Sequence, residues 1–155
     1  MEIVRARLIA ERLHAGDREE NGTPLLVHIR RVVGLVPEEA RAVACLHEAL
    51  GWTGVTEQEL LMEGLDVEEL RALRLLDSTR DSRSDHVYLS HLHLIACAAG
   101  RGGRLARVVK VADLQDRCRH PRVRADGWSP SYRLGLALLT GHPDPWRGAH
   151  GAAAA

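Results

Sequence analysis

Phenylalanine is absent from this chain, and aromatic residues account for 3% of its 155 positions. The core must therefore be filled by leucine, valine and alanine, the residue set of closely packed helices. Lysine occurs once, as Lys110, so nearly all the positive charge is carried by arginine. With 21 basic residues against 21 acidic ones, the charge balance gives no support for binding nucleic acid or an acidic membrane through a basic face. Cysteine is scarce too. Cys45, Cys97 and Cys118 lie far apart with no Cys-x-x-Cys spacing, which argues against a disulfide framework and for a reducing, cytoplasmic setting. No apolar run approaches the roughly 20 residues that span a bilayer. The opening MEIVRARLIAERLH mixes charged and apolar residues at helical spacing, unlike a signal peptide.

What is present is a globular composition, 45% hydrophobic and 27% charged, in a length suited to one domain. Ile3, Val4, Leu8, Ile9 and Leu13 are spaced as one face of a helix over residues 2–14. Gly16, Asn21, Gly22 and Pro24 then mark a loop by their turn chemistry. LLVHIRRVVGLV suits strand or helix by pattern alone, its valines favouring the first and its neighbours the second. Pro37, Glu38 and Glu39 open a helix predicted to run to about Leu50 and stop at Gly51. Thr56 with Glu59, and Asp66 with Glu69, read as capping boxes for two more helices, the first closed by Gly64. Further along come an apolar helix in HVYLSHLHLIACAAG, a turn at Gly100, Gly102 and Gly103, and a helix in RLARVVKVADLQDRC. Ser129 and Pro130 open a last helix that ends at Gly141. The expectation is a single all-α domain over residues 1–141 with about seven helices, followed by a loose tail over 142–155.

Four residues stand out chemically. His28 interrupts an apolar run, His47 and Glu48 end an apolar helix, and Asp113 lies in VVKVADLQDR. Two imidazoles and two carboxylates form a donor set suited to a first-row divalent ion such as Mn, Fe or Zn. Adjacent helix residues point about 100° apart, so His47 and Glu48 can share an ion only if it sits over the helix edge. The residues equally allow partly buried helix histidines with local hydrogen bonds, and an Asp113 paired with an arginine. Asp116 suits an acid supporting the site from one turn after Asp113 or a solvated residue, the second preferred; His91 and His93 are read as a surface or helix-contact pair, and Cys45 as a small buried hydrophobe. Lys110, on the helix face of Asp113, suits a phosphate-facing role or a salt bridge to it.

In their order, LHAGDREENGTPLLVHIRRV, AVACLHEALGWTGVTEQEL and VVKVADLQDR resemble the motifs of the HD-domain hydrolase half of RelA/SpoT-type enzymes, in particular the small single-domain alarmone hydrolases. The likeness runs over roughly residues 6–118. It implies an HD-domain-like helical bundle in which His28, His47, Glu48 and Asp113 hold Mn²⁺. It also implies an activity, in which a metal-activated water removes the 3′-pyrophosphate of ppGpp or pppGpp. Arg18 matches the arginine that stacks on guanine. Arg117 stands where that family has an asparagine against the sugar-phosphate, and an arginine can hold phosphate bidentately.

The chain departs from the pattern at the chemistry. Glu48 replaces the aspartate of the His-Asp pair, and Gly51-Trp52 replaces the Glu-Asp pair that positions and activates water. A catalyst without its general base forfeits roughly 10² to 10⁴ in rate. Two functions are therefore expected in competition: a metal-dependent nucleotide phosphohydrolase, and a catalytically impaired domain that binds metal or nucleotide as a sensor or interaction module. In both, the expected partner is a small phosphorylated nucleotide, with homo-oligomerisation left open.

Overall fold

The computed structural model describes residues 1–19, 21–77, 84–120 and 131–141. Its helices are α1 (Ile3–Leu13), α2 (Leu25–Leu35), α3 (Arg41–Leu46), α4 (Ala49–Trp52), α5 (Glu57–Met62), α6 (Val67–Asp77), α7 (Asp85–Cys97), α8 (Gly100–Arg119) and α9 (Tyr132–Thr140), with a 3₁₀ turn at Glu38–Ala40. The fold is all-α. Among the described residues the only β-type contact is an isolated bridge between Arg18 and Pro24, which pins the loop between α1 and α2. No described helix is long and apolar enough to cross a membrane. The expected tail over 142–155, and the expected caps Ser129 and Pro130, lie outside the described residues.

The ambiguous valine-rich segment is helical. Leu25, His28, Ile29, Val32 and Val33 are buried in α2, the i, i+3, i+4 spacing of one helix face, and that packing overrides the β-preference of valine. In α1 the buried residues are Ala6, Ile9 and Ala10, whereas Val4 is 65% and Leu8 62% exposed. Ile9 is buried and Ile3 and Leu13 pack against the core as predicted, so the predicted face is corrected at Val4 and Leu8. α1 lies along α3, and small side chains on α1 let the two backbones approach closely.

One expected helix is broken into parts. The segment from Pro37 to Gly51 forms a 3₁₀ turn, α3 and α4, with His47 and Glu48 as the joint. Glu48 has φ −99° and ψ −6°, outside the helical well and in the bridge region. The Thr56–Glu59 capping box is formed, and so is its counterpart, in which Asp66 Oδ1 accepts from the Glu69 N–H while Glu69 Oε2 accepts from the Asp66 N–H.

Gly102 and Gly103 were expected in a turn but lie inside α8. A Cβ on Gly102 would stand 2.8 Å from the Glu68 carbonyl oxygen, and one on Gly103 would stand 2.2 Å from that of Ala98. Their lack of side chain seats the start of α8 against α6 and against the chain just before it. α8, the longest helix, packs on α2, α3, α6, α7 and α9, so its buried face meets most of the core. The largest fully buried side chains include Leu46, Leu60, Leu73, Leu92, Leu114 and Leu136, the aliphatic core that an absence of phenylalanine requires.

Two glycine substitutions should therefore have opposite signs. Gly34, exposed in α2, has nothing within 4 Å of a built Cβ, so Gly34→Ala should stabilise the fold by about 0.5–1 kcal/mol. Gly103→Ala forces a backbone clash and should cost about 2–3 kcal/mol. Urea unfolding midpoints of the two variants against the parent chain check both.

Candidate metal centre

The centre is assembled from three places in the chain. α2 supplies His28 from its buried face, the joint between α3 and α4 supplies His47 and Glu48, and the second half of α8 supplies Asp113. On α8, Asp113, Asp116 and Arg117 are three and four residues apart and share one face. The break in the helix at His47 and Glu48 removes the restriction that a regular helix would impose. The bridge-region backbone of Glu48 lets two adjacent side chains point to one spot.

His28, His47, Glu48 and Asp113 each offer one ligand atom, and these four atoms lie within 4.8 Å of one another. The two Nε2 atoms are 3.2 Å apart. His28 Nε2 is 3.3 Å from Asp113 Oδ1 and 3.7 Å from Glu48 Oε1, and His47 Nε2 is also 3.7 Å from Glu48 Oε1. An ion bonded at about 2.0–2.2 Å to nitrogen and oxygen separates its ligand atoms by about 2.8–3.6 Å at right or tetrahedral angles. These four separations match that range to about 0.1 Å, and because the whole set lies within 4.8 Å, an ion would draw the wider pairs together.

Hydrogen bonds behind the ligands fix which ring nitrogens face inward. His47 Nδ1–H donates to the Ala44 carbonyl at 2.8 Å, and an acceptor-only partner puts the proton on Nδ1. Burial, opposed by the charges of Glu48 and Asp113, lowers the His47 pKa from 6.5 to about 4, so at neutral pH its Nε2 carries a lone pair. His28 Nδ1 lies 2.7 Å from Asp116 Oδ2. Asp116 in turn accepts from Arg31 Nε at 2.6 Å and Nη2 at 3.1 Å. Against the upward push of burial, these donors hold the Asp116 carboxyl far below the ordinary range. A carboxylate orienting an imidazole toward an ion is the usual support of a metal-ligating histidine. Asp116 is thus corrected: it is buried behind His28, not solvated.

Two cations reach the acidic ligands directly. Lys110 Nζ donates to Asp113 Oδ2 at 2.8 Å, and Arg117 Nη2 donates to Glu48 Oε1 at 2.6 Å. Arg117 Nε also stands 2.6 Å from Asp113 Oδ1, but its N–H is not aimed at that atom, which accepts no hydrogen bond. Burial is the largest influence on Glu48 and Asp113 and raises their carboxyl pKa values, yet Arg117 with His47 and His28 at Glu48, and Arg117 with Lys110 and His28 at Asp113, together outweigh it and keep both ionised. A buried carboxylate oxygen without an aligned donor, 3.3 Å from His28 Nε2, is a position a metal ion can satisfy.

The remaining candidates fall outside the cluster or behind it. Lys110 is buried against Asp113, the salt-bridge geometry foreseen beside its phosphate-facing role. Arg18 is exposed and donates to the Gly22 carbonyl at 2.8 Å, closing its own loop. Gly51 and Trp52 are half-buried on α4, and Trp52 packs on the core. Glu57 and Glu63 pair with arginines and Glu59 caps α5, so each of these carboxylates has a surface or capping role. His91 is buried and hydrogen-bonds the Leu75 carbonyl, while His93 is exposed. Cys45 is buried, which pushes its thiol up to about 11. Arg31 was not anticipated; its position three residues after His28, on the same helix face, is the signal that could have found it. Neither protein-family models nor curated proteins show a match to this chain.

The centre predicts a pH dependence. Folded His47 stays neutral down to about pH 4, whereas an unfolded histidine takes up its proton near 6.5, so stability falls as pH falls through that window. The loss between pH 7 and pH 5 should be about 2 kcal/mol. His47→Asn keeps a donor toward Ala44 but removes the titration. Its urea-unfolding free energy should be flatter by that amount over the same interval.

Proposed function

We propose that this chain is a metal-dependent phosphohydrolase acting on a phosphorylated nucleotide, with the alarmone ppGpp as the first substrate to test. The observation that carries the metal part is the inward pair of imidazole Nε2 atoms, 3.2 Å apart, with two carboxylates beside them. Two inward imidazole nitrogens with carboxylate oxygens around them make a donor set that a divalent cation can bridge. The substrate class rests on the motif resemblance described above.

His28, His47, Glu48 and Asp113 would hold the ion, with Mn²⁺ implied by the resemblance. A bound dication would supply Lewis-acid polarisation of a phosphoryl oxygen and lower the pKa of water. The chain's own residues do the rest. Asp116 and the Ala44 carbonyl keep both Nδ1 atoms protonated, so both Nε2 atoms stay available as ligands. Lys110 stays on the outer oxygen of Asp113 and limits the negative charge that substrate phosphates meet. Arg18 lies on the loop where the resemblance places the nucleotide base.

A second reading is favoured by one observation. Gly51 and Trp52 occupy the turn after the ligand pair, and neither can take a proton from water, so a centre of this build can bind without turning over. On this reading the domain binds metal and nucleotide as a sensor.

Pyrophosphate release from ppGpp with added Mn²⁺ separates the two. The first reading expects release that falls at least about 100-fold in His47→Ala. Absence of release from a chain shown to bind Mn²⁺ would support the second. A chain that binds no Mn²⁺ would defeat both.

A further inference from the structure

We propose that Arg117 is a built-in cation of this centre: its guanidinium neutralises Glu48 and Asp113 when no metal is bound, and it must leave the ligand cluster to admit one. The inference rests on the metal-binding part of the proposed function and adds a device that controls it.

Three observations converge. The first is position. Arg117 Nη2 is 2.6 Å from Glu48 Oε1 and 3.5 Å from His28 Nε2, and Arg117 Nε is 2.6 Å from Asp113 Oδ1. A single guanidinium thus touches three of the four candidate ligands, at the atoms those residues would offer an ion. The second is imperfect fit. A planar fork cannot aim a proton at every ligand atom, and Asp113 Oδ1 is left without a hydrogen bond although Nε stands beside it. An ion has no such directional limit toward oxygen. The third is charge balance. Glu48, Asp113 and Asp116 are matched by Arg117, Lys110 and Arg31, so each carboxylate of the cluster has a cationic partner with the arginine in place. A dication entering beside the guanidinium would meet like charge at a few ångströms in a buried site, where Coulomb repulsion is large.

The exchange needs little movement. Arg117 sits one turn after Asp113 on α8, and its four side-chain torsions can carry the guanidinium outward while the helix stays fixed. Glu48 is the half-buried member of the cluster, with 14% of its side chain exposed, so this is the side on which the arginine can leave. Lys110 and Arg31 hold the outer oxygens of Asp113 and Asp116. Asp113 and Asp116 therefore stay in place when Arg117 departs. Metal affinity is then set by competition: the free energy of the Arg117 ion pairs is subtracted from that of every ion that binds.

The test is a Mn²⁺ titration of the full chain, with free Mn²⁺ followed by electron paramagnetic resonance. Arg117→Asn should lower the Kd at least tenfold relative to the parent chain, and His47→Ala should abolish binding in both backgrounds. Thermal unfolding gives an independent readout: Arg117→Asn should melt lower without metal and gain more from saturating Mn²⁺ than the parent. Equal Kd values in parent and Arg117→Asn, with binding lost in His47→Ala, would overturn the role of Arg117 and leave the metal centre standing. No binding at millimolar Mn²⁺ in either chain would overturn both. If Arg117→Asn does not fold, Arg117→Gln decides, since it removes the charge but keeps more of the side chain's length. A Kd at least threefold tighter than the parent supports the proposal, and anything less overturns it.

Discussion

Two ring nitrogens, His28 Nε2 and His47 Nε2, face each other at 3.2 Å in the interior of this protein, with two carboxylates beside them, and the surrounding structure is arranged around that cluster. Their orientation is imposed from behind. The Ala44 carbonyl takes the proton of one ring and Asp116 takes that of the other. Buried carboxylates at Glu48 and Asp113 create a demand for positive charge, since an isolated buried carboxylate costs several kcal/mol. Arginine supplies that charge in the structure, with lysine and a second arginine on the outer oxygens.

This polar cluster sits within an aliphatic core and depends on it for shape. α8 carries the acidic half of the centre and Arg117 while packing against most other helices, so the ligand geometry is fixed by the same contacts that fix the fold. Gly102 and Gly103 contribute from a distance. By letting the start of α8 seat against α6 and the preceding turn, they set the axial position of the helix and hence of Asp113 about three turns later. The break between α3 and α4 has the converse role. It interrupts the regular helix at His47 and Glu48 so that two neighbouring side chains converge, a local departure from regularity of the kind found at functional sites.

Much of this was legible in the chain. The helices with strong caps were found because capping chemistry is local: Thr56 with Glu59 and Asp66 with Glu69 satisfy their own backbone donors within one turn. The four candidate ligands were chosen for donor type and position, and the structure brings them together. The errors share a physical cause, the lack of partner information. Val4 and Leu8 look like core by hydrophobicity, yet close packing of α1 on α3 selects Ala6 and Ala10 instead. Gly102 and Gly103 look like a turn, yet their role is steric and set by Glu68 and Ala98. Asp116 looks solvated until His28 and Arg31 arrive from 88 and 85 residues away in the chain.

By itself the sequence determined an all-α fold and an aliphatic core, through side-chain periodicity and the absence of phenylalanine, because both act over neighbouring residues. It also determined the kinds of donor atoms the chain can offer. The tertiary structure decided which of them meet, which ring nitrogen each histidine presents, and that Arg117 stands among the ligands and not on the surface. Those are properties of distance and direction between residues far apart in the chain, and in a buried site a shift of one ångström changes the electrostatic energy by more than any local propensity can offset.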